Sequence, residues 1–261
     1  MSESLPVVIL VGGAGSRLGR EGEVPPKALV QVGNRPIVWH VIKIYAAFGY
    51  THFVLTLGYG GNLIRQYFLD YDLLYRDLTC SPGNSGGVEF HHPAAESQWR
   101  ITLADTGLRT NKAARIRRVA EYLGDGSFFV TYGDGVGNVD IAALLAFHRQ
   151  HGKLATITGA QPFSQYGLVE AEADGSVKRL DEKPRLNHWI NAGFMVFEHG
   201  VLDYLQGDDD LDLEKQVLPR LAAAGQLKMY RHTGFWQSMD TLKDAQALSE
   251  LWEKDAPWKV W

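Results

Sequence analysis

The sequence predicts an α/β fold: a mixed, mostly parallel sheet flanked by helices, carrying a small inserted β-hairpin region. Two observations carry this expectation. Short apolar runs alternate with helix-period patterns up to about residue 160, and two of those runs end in glycine-rich turns. Beyond that point the rhythm changes to paired strands around an Asp174-Gly175 turn. At 261 residues the chain is long enough to bury a large core, and a single domain over 1–261 is the economical reading.

Val7–Val11 is an apolar run of strand length that leads directly into glycines. A helix follows in the spacing of Ile37, Val41, Ile42, Tyr45 and Phe48, with Pro36 expected in its first turn and Gly49 after its last apolar position. Phe53–Leu57 is the next strand and Asn62–Phe68 the next helix. Val88–His91 and Ile101–Leu103 read as short strands, and Ala113–Leu123 as a helix. Phe128–Tyr132 is a strand of buried type that ends at Gly133-Asp134-Gly135. A helix over Ile141–His151 and a strand at Ala155–Thr158 complete the alternation, which implies parallel strands covered on both faces. Leu168–Ala173 and Val177–Leu180 then form the hairpin, and Ile190–Phe197 is a strand. Helical segments around Leu202 and over Leu213–Ala223 precede a strand at Leu227–Arg231. Thr241, with Asp244 three residues on, resembles a capping box opening a helix to about Glu253. The arrangement is Rossmann-like, and ligands of such sheets bind beyond the carboxyl ends of the strands.

A formal net charge of −4 and a pI near 6.1 leave no general basic field, so nucleic acid is not an expected partner. The dense cationic stretch Lys112–Arg118 reads as a solvated helix face with one arginine available to a ligand. The single cysteine, Cys80, excludes an intrachain disulfide and a cysteine-rich zinc site. Leu5–Val11 has no basic flank, and no run approaches the ~18 apolar residues of a membrane span. A soluble, cytoplasmic protein with no membrane partner is expected.

The most informative stretch is Gly12-Gly13-Ala14-Gly15-Ser16-Arg17-Leu18, with Pro26-Lys27 shortly after. Small residues let backbone N–H groups approach a polyphosphate, and Arg17 and Lys27 neutralise it. The dinucleotide fingerprint needs a glycine where Leu18 stands, which disfavours an NAD-dependent oxidoreductase, and P-loop spacing is absent. Asp134, between two glycines at a strand end, can reach Mg²⁺ held on phosphate oxygens, or can make the local bonds of a turn aspartate. Asp240 is the candidate second carboxylate, or else a cap for the helix at Thr241. Glu182-Lys183-Pro184 offers a lysine to a second anion, and Asn191 an amide to sugar hydroxyls. A solvated strand-end lysine and a turn asparagine are the plain alternatives. Taken together these features describe nucleotidyl transfer between two phosphorylated substrates. A phosphate monoester attacks the α-phosphate of a nucleoside triphosphate in line, and pyrophosphate leaves. The monoester is largely dianionic near pH 7 (second pKa about 6), so catalysis reduces to positioning and charge neutralisation.

Gly12-Gly13-x-Gly15-Ser16-Arg17-Leu18 with Pro26-Lys27 resembles the signature of the sugar-1-phosphate nucleotidyltransferases. Pro36–His40, Thr131–Val136, Gly234–Thr241, Leu251-Trp252-Glu253 and the Ala256–Lys259 tail resemble, more narrowly, the glucose-1-phosphate cytidylyltransferases. The resemblance covers nearly the whole chain. It implies synthesis of a CDP-sugar from CTP and a sugar 1-phosphate, foremost α-D-glucose 1-phosphate, for deoxysugar or surface-polysaccharide synthesis. UTP or dTTP, or another sugar 1-phosphate, is the near alternative; a catalytically silent nucleotide-sugar-binding regulatory protein is the alternative of another class. The resemblance implies that about 1–160 binds nucleotide and about 161–261 binds sugar phosphate. Leu10, Gly12, Gly13, Ala14, Gly15, Ser16, Arg17, Lys27, Thr110, Arg115 and Gly133 would meet the nucleotide. Asp134 and Asp240 would be the Mg²⁺ ligands. Lys183 would bind the sugar phosphate, with Tyr166, Gly167, Glu182 and Asn191 around the sugar, and the chain would form a homo-oligomer. Departures from the family pattern are Ser16 for threonine, Ala28-Leu29 for proline-methionine, Ala113-Ala114 for two glycines, Gln165-Tyr166 for arginine-phenylalanine, and Ala192 for glycine.

Overall fold

The computed structural model describes residues 5–13, 25–81, 87–164 and 166–261. Val7, Val8 and Ile9 expose no surface, as a strand covered on both faces requires. Their strand, Val7–Leu10, sits inside a seven-stranded sheet, with His52–Leu57 and Phe128–Tyr132 paired to it in parallel. Arg100–Asp105 extends one edge in parallel. On the other side Ile190–Phe197 runs antiparallel to both of its neighbours, Phe128–Tyr132 and Ala155–Ala160. Leu227–His232 closes that edge, parallel to Ala155–Ala160. The sheet is thus mixed and mostly parallel, and it takes strands from both halves of the chain.

The pleat sends alternate residues to opposite faces. Ile9, Leu55 and Phe129 therefore enter one apolar core, while Val8, Val54 and Val130 enter the other. The first core is covered by Ile37–Ala46, a helix with eight buried residues. Ala113, Ile116, Val217 and Leu221 cover the second. Leu10 stands opposite Tyr132 in register, so the turns after these two strands leave the sheet side by side. Because Ile190–Phe197 is reversed, its first residues reach that same edge.

Several elements differ from expectation, each for a local reason. Pro36 precedes the helix in extended backbone (φ −67°, ψ 152°) and pairs with Gln31, so the helix opens at Ile37. The segment after Asn111 breaks into Lys112–Arg118 and a 3₁₀ turn, Ala120–Tyr122, because Val119 departs from helical angles (φ −105°, ψ 8°). Leu213–Val217 is a π-turn that becomes α-helical over Leu218–Ala223, where Pro219 lacks the N–H that a regular ladder would use. His199–Leu205 is 3₁₀. The hairpin pairs Leu168–Ala171 with Val177–Asp181. Two-residue strands at Gln31–Val32 and Arg35–Pro36, and the pair Gly135–Gly137 with Trp236–Ser238, were not anticipated. The Thr241–Asp244 capping box is present and opens Leu242–Lys254.

The C-terminal tail is anchored by His40. Its Nε2 donates to the Val32 carbonyl at 3.0 Å, and its Nδ1 accepts from Trp258 Nε1 at 3.3 Å. This pairing requires a neutral ring, and burial pushes the His40 pKa down to about 4.

Candidate active site

At the edge where Leu10 and Tyr132 end their strands, a cavity of about 540 Å³ opens. Leu10 and Gly13 line it from the first turn, Gly133 and Asp134 from the second. The Gly133 N–H donates to the Leu10 carbonyl at 3.2 Å, tying the two turns together. Trp236–Ser238 pairs antiparallel with Gly135–Gly137, opposing Ser238 to Gly135, and the Met239 N–H donates to the Asp134 carbonyl at 2.8 Å. That pairing carries Asp240 to Asp134. The helix behind is capped by Thr241 and Asp244, so the Asp240 carboxylate is directed to the site and not to a cap.

Lys27 joins the two carboxylates. Its Nζ lies 2.6 Å from Asp134 Oδ2 and 2.8 Å from Asp240 Oδ1, although it is 213 residues from Asp240. Burial by itself lowers the Lys27 pKa; Asp134 and then Asp240 outweigh it and hold the ammonium above its ordinary value. Ser238 Oγ donates to the other Asp240 oxygen at 3.0 Å. Two carboxylates that converge on one cationic nitrogen are disposed to converge on a metal ion, since Mg²⁺ is held by one or two carboxylates plus phosphate oxygens and waters. Among the described residues there is no cluster of three or more metal-ligating side chains. Charge agrees with a cation between the two carboxylates. The described lining has three carboxylates (Asp134, Glu214, Asp240) against two ammoniums (Lys27, Lys112), one negative charge in excess, before any phosphate enters.

Arg115 braces the backbone at Gly12 from within the fold. It is 4% exposed, and its guanidinium donates to the carbonyls of Leu57 (3.0 Å), Gly107 (2.8 Å) and Gly12 (3.0 Å) and to Thr106 Oγ1 (2.7 Å). A Cβ on Gly12 would lie 2.3 Å from Arg115 Nη1, so the close approach needs glycine there. Burial lowers the Arg115 pKa, with Arg118 adding to the effect. These bonds fix the backbone of the turn and place Arg115 outside the cavity lining. Thr110 is also buried and outside it, near the Gly107 turn. Ala14, Gly15, Ser16 and Arg17 lie outside the described residues.

Of the sugar-phosphate candidates, Asn191 lines the cavity. Tyr166 is 77% exposed on the loop before the hairpin, and Gly167 backs onto the Glu182 carboxylate. Lys183 has a left-handed backbone (φ +49°) and an exposed side chain whose Nζ is 4.0 Å from Glu182 Oε1. None of these four is among the described lining residues. The cavity instead contains Lys112, Tyr132, Glu214, Trp236 and Ser238, none of which sequence reasoning placed in it. Tyr132 had a local signal, as the last residue of the strand before Gly133-Asp134, and Trp236 and Ser238 lie in the Gly234–Thr241 stretch that also carries Asp240.

A model of the nucleotidyl transferase family matches residues 6–253. The chain belongs to that family. This nucleotidyl transferase is 42% identical over 260 residues to a glucose-1-phosphate cytidylyltransferase of Salmonella typhi, covering 98% of this chain and all of the relative. It is 39% identical over 258 residues to a probable glucose-1-phosphate cytidylyltransferase of Bacillus subtilis, again over 98% and 100% of the two chains. The crystal structure of HddC from Yersinia pseudotuberculosis, complexed with GMP-PN, superposes with a TM-score of 0.67 at 17% identity, over 95% of this chain and 99% of that one. The last likeness shows a shared fold. No helix among the described residues of the nucleotidyl transferase is long and apolar enough to cross a membrane.

Proposed function

We propose that the chain makes a CDP-sugar and pyrophosphate from CTP and a sugar 1-phosphate, foremost α-D-glucose 1-phosphate. The observation that carries this is the convergence of Asp134 and Asp240 on Lys27 beside the glycine turn. The near-full-length similarity to cytidylyltransferases supports the choice of base and sugar.

In this reading the turn amides from Gly12 onward and Lys27 hold the triphosphate, and Asn191 meets the sugar. Arg17 and Lys183 are assigned to the departing pyrophosphate and the sugar phosphate from the motif resemblance. Mg²⁺ held by Asp134 and Asp240 would neutralise charge on the phosphate oxygens. The monoester oxygen of the sugar phosphate forms a bond to the α-phosphorus while the bond to the β-phosphate oxygen breaks, and the electron pair leaves with pyrophosphate. No side chain need take a proton, because the monoester is already ionised (second pKa about 6). One domain spans 1–261, with nucleotide held mainly by about 1–160 and sugar phosphate by about 161–261. We place it in the cytoplasm, where Cys80 stays a thiol. A homo-oligomer is part of the same reading, supported by the exposed Val169, Val177 and Leu180 on the hairpin.

The test is pyrophosphate release across four nucleoside triphosphates and a panel of sugar 1-phosphates, with and without Mg²⁺. The expected result is Mg²⁺-dependent turnover, fastest with CTP and glucose 1-phosphate. Turnover of no pair would sink the transferase reading, and preference for another pair would correct the substrates.

A further inference from the structure

The cavity holds a second polar cluster, of which the roles above use only Asn191. Asn191 Nδ2 donates to the Tyr132 hydroxyl at 3.3 Å, and that hydroxyl donates to Glu214 Oε1. Glu214 Oε2 is sealed from solvent and ion-paired with Lys112 Nζ. Four separate elements contribute: the end of one strand, the start of the reversed strand, the first turn of a helix and the π-turn.

The cluster is built and held. The Tyr132 hydroxyl stands between the Asn191 amide and the Glu214 carboxylate, accepting from the one and donating to the other. The Asn191 amide is fixed by the Gly193 N–H, which donates to its Oδ1 at 3.0 Å. Gly193 has φ +79°, and a Cβ there would lie 2.2 Å from the Tyr132 ring, so the ring occupies space that only glycine leaves open. The Glu214 side chain is nevertheless 29% exposed, and it lines the cavity.

A third carboxylate in a cavity for two phosphorylated substrates needs a reason. It repels phosphate, so it belongs beside a part of a substrate that is uncharged and carries O–H donors. Sugar hydroxyls are such a part, and a hydrogen bond to a charged acceptor is stronger than one between neutral groups. Asn191 lies one strand beyond Tyr132, on the side away from the glycine turn. That side of the cavity is the one farther from the turn assigned to the triphosphate.

Resting on the transferase reading, we propose that Glu214 selects the sugar 1-phosphate by accepting a hydrogen bond from one sugar hydroxyl, with Tyr132 and Lys112 holding its carboxylate in place. Sites built to pair a substrate hydroxyl reject analogues that lack it, because the buried protein group is left unpaired.

The experiment compares kcat/KM for glucose 1-phosphate and for analogues each lacking one hydroxyl, in the wild type, Glu214→Gln, Glu214→Ala and Tyr132→Phe. The wild type should lose about 100-fold or more on one analogue. That loss should shrink to a few-fold in Glu214→Ala, take an intermediate value in Glu214→Gln, and weaken at the same hydroxyl in Tyr132→Phe. CTP affinity by calorimetry should stay within about threefold, reporting an intact fold and nucleotide side. An unchanged ranking of analogues in Glu214→Ala would overturn the inference alone. So would loss of CTP binding, or relaxed discrimination of CTP from 2′-deoxy-CTP in place of the sugars. If the wild type turns over no sugar 1-phosphate, the transferase reading fails and this inference with it.

Discussion

Replacing Lys27 with methionine keeps the stem and removes the charge that joins Asp134 to Asp240. The two carboxylate oxygens that it bridges lie at most about 5.4 Å apart, the two Lys27 distances laid end to end. At an effective dielectric near 20, two unit negative charges at that separation repel by about 3 kcal/mol, and in bulk water by under about 1 kcal/mol. The Asp240 side chain is 44% exposed, so solvent screens the pair and about 1–2 kcal/mol is the reasonable figure. The raised Lys27 pKa supports the sign, since attraction to the carboxylates exceeds the desolvation of the ammonium. For a chain of this size that corresponds to a Tm lower by about 2–8 °C in metal-free buffer. Added Mg²⁺ should restore more stability to Lys27→Met than to the wild type, because the cation then takes the place of the ammonium between Asp134 and Asp240. Differential scanning calorimetry with and without 10 mM-scale Mg²⁺, roughly saturating for such sites, measures both effects. A metal-free variant that melts at or above the wild type refutes the reasoning, and so does an equal Mg²⁺ shift in both proteins.

Three further outcomes are expected. Asp134→Asn should lower pyrophosphate release by about 10³-fold or more while the circular dichroism spectrum is unchanged; near-normal rates would remove Asp134 from the metal role. His40 has a folded pKa of about 4 against an ordinary histidine value of 6.5, so the unfolded chain binds its proton first as pH falls. Its contribution is therefore fully present above about pH 6.5 and is lost progressively toward pH 4, by about 3 kcal/mol in all. Urea midpoints should fall over that window, and His40→Asn should flatten the slope; a slope unaltered by the substitution contradicts the assignment. Trp258→Ala should cost about 3–5 kcal/mol in urea unfolding, because the indole is fully buried and donates to His40; a loss under ~1 kcal/mol would mean the tail is not anchored as described.

Much of the scaffold was legible because its signals are local. An uninterrupted apolar run marked Val7–Leu10 as covered on both faces, and Thr241 with Asp244 announced a helix start in four residues. The bonds of Arg115, which the family resemblance sets beside the nucleotide, were not legible: its donors go to the carbonyls of Leu57, Gly107 and Gly12, which no spacing in the sequence reveals. Leu213–Ala223 reads as one helix, and the π-turn within it depends on how Pro219 meets the preceding turn.

The sequence by itself determined that a glycine turn leaves a buried strand, that a carboxylate stands at the end of another, and which family the motifs resemble. These follow from steric and periodic rules acting over a few residues. Only the tertiary structure decided that Asp134, Asp240 and Lys27 share one point, through the pairing of Gly135–Gly137 with Trp236–Ser238. It alone brought Glu214 to Tyr132, 82 residues apart, and set Lys183 on an exposed turn. The physical reason is common to all of these. A side chain's chemistry is written in its type, but its partner is chosen by strand order and register, which depend on how the whole chain buries its apolar faces.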